Sequence, residues 1–228
     1  MKAYPTMAYQ TLPSTILPAG TTANQKMYRF SVTANNGDIA LYKFRFVIGS
    51  STLLATTSLF SLYSYTDAGY SNVDTTFSST GLLNGGQCFN GIKNTGAGPV
   101  ASGMIGIHIF MDKGLTAGGC NTATTTYIVS SGVTRYFELR ATVANVSSLS
   151  TSKDSISAYV AGDSAFPVNS SNLMQQASGV DGDTNDSFIW SPVSTTTNNV
   201  VTDLDYTNSY QITGLPAIGM TSVTLQSQ

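Results

Sequence analysis

Charge is scarce in this chain. Only 10% of its 228 residues are Asp, Glu, Lys or Arg, and the formal net charge is −2. The basic residues are scattered and form no run. Proteins that grip nucleic acid or an anionic membrane surface concentrate Lys and Arg in one patch, so neither partner is expected. No segment is apolar for long enough to cross a bilayer as a helix, which argues against direct membrane insertion. Met1-Lys2 leads into Ala3-Tyr4-Pro5-Thr6 rather than into an apolar stretch, so no signal peptide is read. The expectation is a leader already removed or, better fitting a start with strand character, a module cut from a longer surface protein with Met1 added at the cut.

Catalytic equipment is equally thin. There is one His, His108, and any Ser-His-Asp site would have to use it. It falls in an Ile-rich segment, opposite the Ile face, and reads as a structural residue. The only Glu, Glu138, sits on the polar face of a strand beside Arg140 and reads as a surface charge. It has no evident partner for the paired-carboxylate chemistry of glycoside cleavage. The G-x-S-x-G elbow and the G-x-x-x-x-G-K-[ST] phosphate loop are both missing. The expectation is a protein that is not an enzyme. Two cysteines, Cys88 and Cys120, are too few for a structural zinc site. In a domain rich in Ser and Thr they read as one disulfide of an oxidising compartment, or else as two unpaired thiols. Closing that loop of about 33 residues would contribute ~3.7 kcal/mol in the chain-entropy view.

What the chain does have is alternation. Hydrophobic residues make up 41% and aromatics 10%, enough to build a sizeable core. Tyr28, Phe30, Val32 and Ala34 alternate with Arg29, Ser31 and Thr33. After the turn signal Asn35-Asn36-Gly37-Asp38, Tyr42, Phe44, Phe46 and Ile48 alternate with Lys43 and Arg45, so the two runs read as neighbouring antiparallel strands. Leu59–Tyr65, Met104–Met111, Thr134–Val143, Ser155–Ala161, Phe188–Val193, Tyr206–Ile212 and Thr221–Gln226 continue the series. In the clearest of them Phe137, Leu139, Ala141 and Val143 oppose Tyr136, Glu138, Arg140 and Thr142. Helix signals are nearly absent. Roughly ten short strands with turn signals predict an all-β fold: one large β-sandwich over 1–228, Ig-like or jelly-roll, without an internal domain boundary.

One stretch offers chemistry. Asp181-Gly182-Asp183-Thr184-Asn185-Asp186 places four side chains with oxygen ligands in six residues. Calcium takes six to eight hard oxygens, and Asp181, Asp183, Asn185 and Asp186 could converge on one ion if the loop curls at Gly182. The front of the pattern matches an EF-hand loop, but its sixth position is not Gly and its twelfth is Pro192, so it is not one. Asp163, Asp203 or Asp205 could assist. The competing reading is an Asx-rich turn in which these side chains bind their own backbone. Asp203-Leu204-Asp205 by itself reads as a solvated turn. Trp190, just after the loop, reads as core. Tyr63, Tyr65 and Tyr70 form a Tyr-rich segment that could stack sugar rings if exposed in one planar row.

Several runs together resemble a known family. Tyr4-Pro5-Thr6, Phe30-Ser31-Val32-Thr33-Ala34, Gly37-Asp38-Ile39-Ala40-Leu41-Tyr42-Lys43-Phe44, Thr134 to Val143, Asp181 to Trp190 and Tyr210-Gln211-Ile212-Thr213-Gly214-Leu215-Pro216 resemble a secreted β domain. That domain belongs to large surface proteins of candidate-phyla (Patescibacteria-type) bacteria. The resemblance spans most of the chain and departs at residues 84–126, where the family connection is shorter. The Cys-bracketed segment therefore reads as an insertion. The resemblance implies an extracellular, cell-surface location and no enzymatic activity. Two expectations follow. The first is a structural module of a surface layer, filament or stalk, stiffened by calcium, that associates with itself or with neighbouring envelope proteins. The second is an adhesin or carbohydrate-binding module that takes glycans.

Overall fold

The computed structural model describes residues 2–50, 55–85, 88–89, 92–93, 103–113, 126–148, 153–166, 185–194 and 205–228. Among them there is no helix. The strands are β1 (Tyr4–Gln10), β2 (Ile16–Leu17), β3 (Gly20–Asn35), β4 (Ile39–Ser50), β5 (Thr56–Tyr65), β6 (Asn84–Gly85), β7 (Cys88–Phe89), β8 (Ile92–Lys93), β9 (Gly103–Phe110), β10 (Asp112–Lys113), β11 (Tyr127–Val129), β12 (Thr134–Val146), β13 (Ser155–Val160), β14 (Phe188–Ser191) and β15 (Val223–Ser227). They form a β-sandwich. The smaller sheet runs β1-β3-β12-β5; the larger runs β2-β15-β13-β4-β9-β7-β8, with β11 and β14 also on β4. A parallel pair, β10-β6, stands apart.

The inward faces are those the alternation predicts. Phe30, Phe137 and Leu139 from the smaller sheet meet Phe44, Phe46 and Phe188 from the larger one, and all are fully buried. Phe30 stacks on Phe137 with centroids 4.9 Å apart and meets Phe44 edge-on at 5.1 Å. These offset and edge-to-face geometries are the ones aromatic quadrupoles favour.

Three expectations are corrected. The runs ending at Ala34 and starting at Leu41 do not pair with each other. β3 pairs with β1 and β12, whereas β4 pairs with β9, β11, β13 and β14. Asn36 and Gly37, at φ 60 and 153, carry the chain across the core from one sheet to the other. That corner is pinned by Ser131 N donating to Asp38 Oδ1 and Gly132 N donating to Ala34 O. A short turn signal reads the same whether the strands it joins pair or face each other.

The second correction lies within β4. Ile189 opposes Lys43 but Trp190 opposes Leu41, a register skip that marks a bulge. Leu41 therefore enters the core. Tyr42, expected beside Phe44, lies on the outer face of the sheet and packs against Phe110 and Tyr206. Third, residues 206–212 form turns rather than a strand, tied to β14 by the Thr207–Trp190 bridge. Cys120 lies outside the described residues, as do most of residues 84–126, and with them the expected Cys88–Cys120 disulfide and most of the insertion.

Candidate functional site

Two of the four expected calcium ligands fall within the described residues, and protein donors hold both. Asn185, at φ 70, accepts from Ala165 N (3.0 Å) and from the Ser164 N and Oγ through its Oδ1. These donors lie 20 and 21 positions back in the chain, so the Asn185 side chain serves the 164–165 turn rather than its own backbone. Its carbonyl accepts from Asn208 Nδ2 at 2.8 Å. Asp186 is 1% exposed and forms an ion pair with Lys43, which is fully buried on β4. Asp181 and Asp183 lie outside the described residues, as does Asp203.

Asp163, considered as a distant helper, is fully buried and already saturated. Its carboxylate accepts from Ser187 N (2.7 Å), Phe188 N, Ser209 N and Ser209 Oγ (2.7 Å), while Ser209 Oγ accepts in turn from Asp163 N. Several charge-assisted bonds to one carboxylate are strong. Here they tie the end of β13, the start of β14 and the 208–209 turn into one node. Asp205 accepts from Ser194 Oγ at 2.7 Å.

The three tyrosines are brought together, but not as an exposed row. Tyr63 and Tyr65 lie on the outer face of β5, opposite Glu138 and Tyr136 of β12. Glu138 is completely buried there, which corrects its reading as a surface charge. Arg29 reaches one carboxylate oxygen at 2.6 Å through Nε, and Arg140 reaches the other at 2.6 Å. Arg140 also donates to the Tyr65 hydroxyl and lies 4.5 Å from the centre of the Tyr63 ring. Tyr70 closes the cluster, its ring 3.8 Å from the Arg29 guanidinium and tilted at 61° to Tyr65. The loop bearing Tyr70 is held by Asp67, whose carboxylate accepts from Asn72 N, Ser71 N and Ser71 Oγ. Those bonds, led by that from Asn72, hold the Asp67 carboxyl below its usual range. Burial and the Glu138 charge push the Tyr65 hydroxyl up, and burial does the same at Tyr70. Arg29, Tyr136, Glu138 and Arg140 thus belong to this cluster. Their common face was legible in the alternation, but their mutual contact was not.

The edges of the smaller sheet are closed. Beyond β5, Ser64 N donates to Gly81 O and Leu83 N to Leu62 O, and the buried Asn84 side chain bonds both ways with β5. Beyond β1, Met7 N donates to Gly214 O, and Pro5, two residues earlier on the same edge, has no N–H. A strand cannot add easily to edges guarded this way. Beside β5, buried Asp74 accepts from Thr76 N (2.8 Å), Thr76 Oγ1, Tyr127 OH (2.5 Å) and Arg135 Nε.

A cavity of about 610 Å³ opens where β1, β14 and the 205–213 segment meet. Tyr4, Trp190 and Ile212 supply apolar lining; Asp205, Thr207 and Gln211 supply polar groups. Trp190 is a core residue, 3% exposed, with Nε1 donating to Asn208 O at 3.1 Å, and it reaches this cavity at its edge. His108 is also buried and stacks on Phe110. Among the described residues no three His, Cys, Asp or Glu side chains group as a metal site.

No family model matches the chain, and no curated protein matches it in sequence. Among solved structures, one described as "AvmM Catalyzes Macrocyclization in Alchivemycin A Biosynthesis" shares 13% identity over 80% of this chain and 79% of that one, with a TM-score of 0.24. A likeness that low carries no argument here.

Two outcomes are expected from these clusters. Glu138→Ala leaves two guanidinium groups around an empty, buried position, and removing one partner of a buried ion pair costs roughly 3–5 kcal/mol. Urea unfolding should show that loss, and a loss under about 1 kcal/mol would mean the cluster is solvated. The second outcome concerns acid. Burial raises the Asp74 carboxyl, but the bonds from Thr76 and Tyr127 and the charge of Arg135 outweigh it, leaving its folded pKa below the ordinary value. The native state then binds fewer protons than the unfolded state as that carboxyl titrates, so its contribution is complete above about pH 4 and fades as pH falls through the lowered folded pKa. Thermal melts of Asp74→Asn should therefore lie below wild type at neutral pH, with the gap narrowing toward pH 2.

Proposed function

We propose that this chain is a non-enzymatic extracellular domain of a bacterial cell surface, a structural module of a layer, filament or stalk that works by association. The observation that carries the reading is where the charges are. Arg29, Glu138 and Arg140, Arg135 and Asp74, and Lys43 and Asp186 are consumed in internal pairs. In a chain only 10% charged, this leaves little charge to desolvate when surfaces meet. Exposed apolar side chains stand on that exterior. Met104, 71% exposed, lies over Gly49 on the outer face of the larger sheet, and Ile218, 83% exposed, is tied by its backbone to Gly162 just past β13. Because the edges of the smaller sheet are closed, association through faces fits better than strand addition there. The resemblance to surface domains of candidate-phyla bacteria supports the location.

Calcium stays in this proposal on the strength of Asp181 and Asp183, since Asn185 and Asp186 are engaged as described. Sedimentation over a concentration series, with calcium and with a chelator, tests both parts. Reversible association that survives high salt and weakens in Met104→Lys or Ile218→Lys is expected; a monomer under every condition would sink the assembly reading. An ion held by the folded form alone must raise Tm, by about 2.7 kcal/mol of stability at a hundredfold excess over Kd. Equal Tm in calcium and chelator would remove calcium.

The cavity favours a second reading, a glycan-binding module. An aromatic edge beside amide, hydroxyl and carboxylate groups suits a neutral sugar, which offers both C–H faces and hydroxyls. Trp190 is the only Trp, so its fluorescence reports directly on that cavity. Titration with neutral oligosaccharides should shift the emission, and Gln211→Ala should weaken the response. A flat titration across a glycan panel would discard this reading.

A further inference from the structure

The Lys43–Asp186 pair is placed for more than a salt bridge. Lys43 Nζ is in direct contact with Asp186 Oδ2, the oxygen bonded to the Cγ it would attack. The lysine side chain is 0% exposed and the aspartate side chain 2%. Their surroundings are aromatic: Nζ lies 5.6 Å from the centre of the Phe110 ring, which itself meets Tyr42 and His108. Among the described residues, nothing donates a hydrogen bond to the second carboxylate oxygen, Oδ1. A buried carboxylate oxygen left unsatisfied is costly, and two buried charges repay their desolvation only when every lone pair is met.

Both reacting groups are held still. Lys43 sits in mid-strand on β4, opposite Ile189 of β14. Asp186 sits between two pinned residues: the Asn185 carbonyl is held by Asn208, and Ser187 N is held by Asp163. Positioning of this kind converts a bimolecular condensation into an intramolecular one with a very high effective concentration. Exclusion of water also disfavours the reverse hydrolysis.

We propose that Lys43 and Asp186 condense into an intramolecular amide that cross-links β4 to the lead-in of β14. One proton passes from the ammonium to Oδ2, giving a neutral amine and a neutral acid. The nitrogen lone pair attacks Cγ, forming the C–N bond. The C–Oδ2 bond then breaks, and that oxygen leaves as water with two of the three protons that began on Nζ. One proton remains on the amide nitrogen, Oδ1 becomes an amide carbonyl, and the pair's charges vanish together. No oxidant or outside reagent is required. The link spans 143 positions of sequence. It stands on the buried pair alone and does not rest on the assembly or glycan readings.

Intact-mass measurement of the purified, reduced full chain is the test. The expected mass is one water below that of the sequence, with a branched tryptic peptide joining the Lys43 and Asp186 segments and no cleavage after Lys43. The Lys43→Met variant should show no water loss, a readout that holds whether or not it folds. A wild-type mass equal to that of the sequence, with normal cleavage after Lys43, would leave the pair a salt bridge and overturn the proposal. So would a water loss that persists in Lys43→Met, since that places the dehydration in a cyclic imide elsewhere.

Discussion

Strand β4 has to be buried on both faces, and much of the molecule follows from that requirement. From Ile39 to Phe44 every residue of it is fully buried. It carries neighbours on both edges, β9 and β11 on one and β13 and β14 on the other. A strand in that position cannot keep simple inside-outside alternation. Its inner side chains fill the sandwich with Leu41, Phe44, Phe46 and Ile48. Its outer side chains, Tyr42 and Lys43, are shut away as well and must find partners there. Tyr42 finds Phe110 and Tyr206; Lys43 finds Asp186. A cation on such a strand is tolerable only with its counter-charge delivered to it. The Asp163 node makes that delivery by fixing the backbone on which Asp186 sits.

The smaller sheet solves the same problem differently. Its outer face holds Glu138 between two arginines and roofs the group with tyrosines rather than with a second layer of strands. The Asp67 turn swings Tyr70 across Arg29, so the ion cluster is covered by rings that themselves favour a guanidinium at their faces. Charged residues in this protein therefore act within the fold more than on its exterior. A charge-poor exterior and guarded edges on the smaller sheet are what the proposed association through faces would require.

Much of this architecture is legible in the residues alone. Phe137, Leu139, Ala141 and Val143 point inward, as do Ile156, Ala158 and Val160, because a strand's side chains alternate and water sorts the two sets. Trp190 belongs to the core, as expected of a large aromatic in a sandwich. Reading failed where alternation breaks or where two distant segments meet. The bulge in β4 inverted Tyr42. The Asn36-Gly37 corner separated two strands that look like a hairpin. Glu138 looks solvated along its own strand and is buried because Arg29 and Tyr70 arrive from elsewhere to join its strand neighbour Arg140.

The acidic stretch marks the division. Local composition draws attention to Asn185 and Asp186, because clustered oxygens are rare in a chain with so little charge. It could not assign them their partners. Asn185 caps the 164–165 turn and Asp186 meets a lysine 143 positions away. The sequence by itself determined the all-β class, the inward faces wherever alternation is unbroken, and the poverty of charge, since these depend on local period and composition. Which strands pair, which charges are buried and which oxygens are already occupied were decided only by the tertiary structure. Those properties depend on groups far apart in the chain that burial forces to satisfy one another.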